Sequence, residues 1–254
     1  MLARGLKKFI CRLIALALIV CIIAAVFYGY KGYEMYKEAV SKTPISSIAE
    51  DICSREHFTE YESLPQIYID AVIAAEDKRF FRHKGIDPLA IARAAFNDIV
   101  ARAFVEGGST IPQQLAKNEL FTQDKKIERK FADAFGAFAI EKQYSKKQIF
   151  EMYVNSIYFG SGYYGIYDAA MGYFGKTPAQ LDDYEAVMLA GLPNAPSNYS
   201  PDSNMQLAEK RMSVVLKRMV KCHKITEDEA EEIRSKSPYY SRSSPAAFDD
   251  VDKK

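Results

Sequence analysis

The chain has 254 residues, 48% of them hydrophobic: enough for one folded domain with a sizeable core, too few for two ordinary enzyme domains beside an anchor. Lys and Arg number 34 against 33 Asp and Glu; four of the cations (Arg4, Lys7, Lys8, Arg12) precede residue 13, so the remainder carries 30 against 33 and implies no nucleic-acid surface. With 17 Tyr, 15 Phe and no low-complexity run, disorder is excluded for most of the length.

The first predicted element is a membrane anchor. Residues 13–30 hold no charge and, as a helix, would span about 27 Å at ~1.5 Å per residue. A basic flank precedes them, and Phe27, Tyr28, Tyr30 and Tyr33 cluster at the far edge, where aromatic rings suit the interface. That asymmetry predicts a single pass through the cytoplasmic (inner) membrane, with residues 1–12 in the cytoplasm and the rest outside. A cleaved signal peptide is the competing reading, but the apolar run is long and no small-x-small site follows it. Residues 31–60 read as a stalk or irregular lead-in, 61–236 as the folded domain, and 237–254 as a frayed polar tail.

Beyond residue 60 the apolar spacing is that of helices. Leu64, Ile67, Ala71 and Ala75 form one stripe; Ile127, Phe131, Ala134, Phe135 and Phe138 form another; Leu207, Arg211, Val214, Val215, Arg218 and Met219 form a third, partly basic one. Start signals agree: Asp87-Pro88 and Thr177-Pro178 pair a cap with proline, while Ser145/Gln148 and Thr226/Glu229 read as capping boxes. No hairpin dipeptide such as Asn-Gly separates alternating apolar runs. A mainly α fold is expected. Of four cysteines, only Cys53 and Cys222 lie clear of the apolar run; they lack the spacing of a disulfide framework, and free thiols are expected.

Three constellations could carry chemistry. Glu76-Asp77 ends the first stripe, where a helix leaves the core; an isolated acidic pair there is usually a solvated turn, but a carboxylate at the core margin also suits a general base. Next comes Gly107-Gly108-Ser109-Thr110-Ile111-Pro112-Gln113-Gln114-Leu115-Ala116-Lys117-Asn118. Here Thr110 and Gln113 can cap a helix whose exposed N–H groups, with Lys117 about two turns on, suit an anion; the plain alternative is an ordinary loop-to-helix junction. Third is Arg129-Lys130-Phe131-Ala132-Asp133. If Phe131 faces the core, Lys126, Lys130 and Asp133 share another face, either a surface salt-bridge face or the charged wall of a cleft.

Together these residues resemble the peptidoglycan glycosyltransferases of glycosyltransferase family 51, in particular the short, membrane-anchored monofunctional transglycosylases. The family motif E-D-x-x-F-x-x-H-x-G is matched by Glu76, Asp77, Phe80, His83 and Gly85, and G-G-S-T-I-x-Q-Q-L-x-K-N by Gly107 through Asn118. Tyr153-Val154-Asn155, the glycine-rich Phe159 to Gly165, Tyr173 to Lys176, and Glu185 to Pro193 resemble later motifs, so the likeness covers roughly residues 60 to 235. One position departs: the family's R-K-x-x-E ends here in Asp133, one methylene short.

The resemblance implies a lysozyme-like helical fold with an apolar jaw on the bilayer, for which residues 86–105 are apolar enough, although they equally suit a core helix. It implies that Glu76 and Asp133 are catalytic, Glu76 as the base. It places Asp77, His83, Ser109, Thr110, Gln113, Gln114, Lys117, Arg129 and Lys130 in substrate binding, with Lys117, Arg129 and Lys130 on a pyrophosphate. Its substrates would be lipid II and the growing lipid-linked glycan, its partners cell-division or elongation proteins. No cofactor is obligatory, though Mg²⁺ or Mn²⁺ is compatible. A muramidase-type hydrolase and a non-catalytic scaffold of the wall machinery are the alternatives. No Ser-x-x-Lys occurs in the sequence, so no penicillin-binding transpeptidase is expected of these residues.

Overall fold

The structure, a computed structural model, describes residues 2–101, 107–121 and 126–237. The expected frayed tail after Ser237 lies outside the described residues, as do Phe104 and Val105 of the candidate jaw. The fold is mainly helical. Helix α1 (Leu2–Lys42) leads into α2 (Ile45–Cys53) and α3 (Gln66–Glu76), then α4 (Pro88–Ala101) and α5 (Ile111–Leu120). After α6 (Ile127–Gln143) and α7 (Lys146–Ser156), a small hairpin of β1 (Tyr158–Gly160) and β2 (Tyr163–Tyr164) precedes α8 (Ile166–Phe174) and α9 (Asp183–Gly191). The short α10 (Pro196–Tyr199), α11 (Pro201–Lys221) and α12 (Glu227–Ser235) complete it.

Most of the stretch expected as a stalk or irregular lead-in is helical, and residues 54–60 are irregular. Helix α1 continues without a break from the apolar run to Lys42, and α2 buries Ile45, Ala49 and Ile52 in the domain core. The physical reason is the 3–4 spacing of those three side chains, an apolar stripe that a nine-residue helix can present to the core. Within α1 the side chains of Phe9 to Val26 are largely exposed, and it is the one helix among the described residues long and apolar enough to cross a membrane. This fits an anchor.

The core is centred on α3 and α9, which pack on each other and on α11. Helix α3 is buried almost all round from Tyr68 to Ala75, so its one-sided stripe understates its depth. The capping boxes at Ser145/Gln148 and Thr226/Glu229 both form. Thr177 and Gln180 also box, but only a single 3-10 turn follows before Asp182 caps α9. The hairpin turns through Gly160-Ser161-Gly162, all three at positive φ, a geometry that two glycines permit without an Asn-Gly signal. Cys53 and Cys222 are free thiols.

Helix α6 rotates against expectation. Its buried face is Arg129, Ala132, Asp133, Gly136, Ala137 and Ile140, whereas Ile127 and Phe138 are exposed. Phe131 and Phe135 are turned instead to α1, where Phe131 lies against Gly29 and Gly32, and Phe135 stacks near Tyr33 and Tyr36. The aromatic stripe therefore packs on the anchor helix, and the small residues let α6 approach α5 closely. Helix α4 settles the other open question: it buries Ala94 while Leu89, Ile91, Phe96 and Val100 stand exposed, Phe96 at 66%. It is an apolar surface, not core.

Asp87 starts α4 as predicted, accepting from Ala90 N at 2.8 Å and from Arg79 Nε at 2.8 Å. The Arg79 guanidinium holds its carboxyl down to about 2. A folded value below the unfolded one, ~3.9, means stability fully present above pH ~4 and lost as pH falls towards about 2. Asp87→Asn should therefore lower the melting temperature at pH 7 and flatten its acid decline between pH 5 and 2; parallel melting curves for parent and variant would refute the linkage.

Candidate active site

The end of α3 and the start of α5 are stitched together by a buried carboxylate. Asp77 Oδ2 accepts from Ile111 N at 3.0 Å and lies 2.7 Å from His83 Nε2. Thr110 completes the cap: its hydroxyl accepts from Gln113 N at 3.3 Å, its N–H donates to Gln113 Oε1 at 3.0 Å, and its hydroxyl proton goes to Gly85 O. Gly85, at φ 75°, is where Phe138 and the α6 backbone come too close for a Cβ. Asp77, His83, Thr110 and Gln113 thus hold the first two motifs in one rigid unit.

On that frame Glu76 projects into a cleft of about 290 Å³. Gln114 Nε2 donates to Glu76 Oε2 at 2.8 Å, and the buried Tyr153 hydroxyl backs Gln114 at 3.3 Å. The other oxygen, Oε1, has no hydrogen-bond partner, and Arg211 Nη2, also without one, stands 3.7 Å away. Both side chains are nearly enclosed, at 10% and 8% exposure. A carboxylate held in place at a cleft can take up a proton from a bound hydroxyl.

The cleft also carries cations. Lys117 and Lys130 line the cleft with Ser109 and Asp133, and Lys130 Nζ donates to Ser109 Oγ at 3.0 Å. Arg129 sits behind these residues: its Nε donates to Asp133 Oδ1 and its Nη2 to Lys117 O, both at 2.8 Å, and its guanidinium lies over the Phe121 ring. Asp133 is 2% exposed, so a surface salt-bridge face with Lys126 is excluded; its partner is Arg129. Burial pushes the Asp133 carboxyl up, opposed by Arg129, and burial followed by the nearby Lys130 pushes the Lys117 ammonium down. A desolvated ammonium beside a second cation is eased by an arriving anion.

Of the predicted site residues, Glu76, Asp77, Ser109, Thr110, Gln113, Gln114, Lys117, Lys130 and Asp133 line the cleft, while His83 and Arg129 lie behind it as supports. Sequence reasoning passed over Arg211 and Arg218, which close the cleft from α11. The signal was present: two arginines seven apart inside an apolar stripe. Arg211 is held by Gly191 O at 3.2 Å, and Arg218 donates to Ala75 O, just before Glu76.

Fold and site define a helical domain on an apolar amino-terminal helix, with a carboxylate facing a cation-rich cleft. Residues 42–220 match the family described as Transglycosylase, and the chain belongs to that family. Penicillin-binding protein 1A of Aquifex aeolicus is 44% identical over 182 residues, covering 72% of this chain and 25% of that protein. Its counterpart in Neisseria flavescens is 38% identical over 245 residues, covering 95% of this chain and 30% of that protein. The chain thus spans between a quarter and a third of the length of these relatives. A crystal structure of penicillin-binding protein 1A from Haemophilus influenzae gives a TM-score of 0.43 at 24% identity over 74% of this chain and 18% of that one, too slight a likeness to bear on fold or function.

Proposed function

We propose that this protein is a peptidoglycan glycosyltransferase that polymerises lipid II. The observation that carries the reading is the gathering of a core-margin carboxylate, Glu76, with Lys117 and Lys130 in one cleft. The Glu76 carboxylate takes the proton of the 4-hydroxyl of an incoming lipid II. The freed oxygen attacks the anomeric carbon of the growing glycan with inversion, and the bond to the lipid diphosphate breaks. The departing diphosphate meets Lys117, whose carbonyl Arg129 holds, and Lys130, which is bonded to Ser109. Hydrolysis of a neutral glycosidic bond needs no such cations, which disfavours the muramidase reading.

The donor set does not fit a protein-held Mg²⁺ or Mn²⁺. Asp133 is bonded by Arg129 and flanked by two lysines, and no cluster of three or more His, Cys, Asp or Glu occurs among the described residues. The scheme therefore has no metal step. The exposed apolar residues of α4 suit contact with a bilayer, and the same helix lines the cleft through Ala90 and Arg93, which supports a lipid-linked substrate.

The full chain incubated with lipid II should yield a lipid-linked polymer that muramidase digests. Well-folded protein that leaves lipid II intact would overturn the reading, and cleavage of preformed peptidoglycan would favour the hydrolase. For topology we infer a retained anchor in the cytoplasmic membrane with the domain outside. Protease added to spheroplasts should digest the domain and spare the first thirty or so residues; a domain resistant until lysis would reverse the orientation.

A further inference from the structure

We propose that Gly32 of the anchor helix is a positioning residue for the cations of the cleft, so that α1 is a structural part of the site as well as a tether. A Cβ at Gly32 would stand 2.5 Å from Phe131 Cβ, 2.7 Å from Glu128 O and 2.9 Å from Ala132 N. Two of these three atoms are backbone, so no rotamer change relieves them. The touched residues bracket Arg129 and Lys130. Carbon atoms pack at ~3.5–4.0 Å, so a methyl here requires a retreat of about 1 Å.

Neither helix has slack to give. Across α6, a Cβ at Gly136 would meet Ala116 Cβ at 2.8 Å and Leu120 at 3.1 Å, so α6 is wedged between α1 and α5. The far end of α1 is tied by a two-residue link to α2, whose Ile45, Ala49 and Ile52 belong to the core. Tyr33 and Tyr36 hold the next turn against Phe135. A push at Gly32 therefore passes through α6 to α5, the helix that bears Lys117 and whose Lys117 carbonyl is bonded by Arg129. Gly32 lies against residues 128–132 and Tyr33 and Tyr36 against Phe135, so Arg129 and Lys130 belong to the turn of α6 that meets α1 just past the apolar run.

The inference rests on the reading that these cations receive the diphosphate. Its test uses the full chain in phospholipid nanodiscs, with inorganic pyrophosphate as the probe and lipid II as the substrate. Gly32→Ala should weaken pyrophosphate binding at least fivefold and slow polymerisation by roughly 10–10², the cost of about 1 Å of misplacement. Gly29→Ala, whose Cβ would lie at an ordinary 3.8 Å from Phe131, should match the parent. A bulkier Gly32→Leu should be worse than Gly32→Ala; if it fails to fold, the alanine variant decides. A contact that only stabilises the fold would lower the melting temperature and leave pyrophosphate affinity of the folded protein unchanged, and that result would overturn the proposal. A parent that neither binds pyrophosphate nor polymerises lipid II would instead sink the functional reading beneath it.

Discussion

Glu76→Gln is expected to reduce lipid II polymerisation by about 10²–10⁴ while the protein stays folded. Glutamine keeps the size of the side chain, and its oxygen can still accept from Gln114, which now donates to Glu76 Oε2 at 2.8 Å. What it cannot do is take up the proton of the attacking hydroxyl. Steady-state turnover with lipid II, alongside a melting curve, checks the expectation. A folded variant that polymerises at the parental rate removes Glu76 from the mechanism and returns Glu76-Asp77 to the role of a charged helix end.

Asp133 carries the second large effect. Asp133→Asn should cost turnover a factor of roughly 10² or more, the usual consequence of removing one electrostatic element from a charge-stabilising site. It should also cost stability, by up to about 3 kcal/mol, because Arg129 is buried and would lose the carboxylate that balances it. Asp133→Glu restores the side chain of the R-K-x-x-E pattern and keeps the carboxylate at the cleft lining. That variant is expected to be at least as active as the parent. Turnover and melting temperature on both variants decide. Parental activity in Asp133→Asn would mean that Asp133 only braces Arg129, and loss of activity in Asp133→Glu would mean that this cleft is fitted to the shorter acid.

The fold class was legible because it rests on local signals. Helical spacing, caps at Asp87, Ser145 and Thr226, and the paired Thr110 and Gln113 act within three or four residues, and each forms as read. The rotation of α6 was not legible. Phe131 and Phe135 look like core residues when the only core imagined belongs to the domain, but α1 supplies a second apolar partner. With those rings turned to α1, the opposite face of α6 must be small, and Asp133 and Arg129 become buried. The same long-range packing turned the supposed stalk into two helices and brought Arg211, 135 positions from Glu76, to within 3.7 Å of it.

By itself the sequence determined the helical class, most helix starts beyond residue 60, the apolar amino-terminal run and the identity of the groups available for chemistry, because propensity, periodicity and capping are properties of neighbouring residues. Only the tertiary structure decided which of those groups meet. Glu76, Gln114, Tyr153 and Arg211 come from four different helices, and glycines at positions 32 and 136 let α6 approach α1 and α5 more closely than a Cβ would allow. Such approaches depend on what is missing from a side chain and on a partner a hundred residues away, and no local pattern records either.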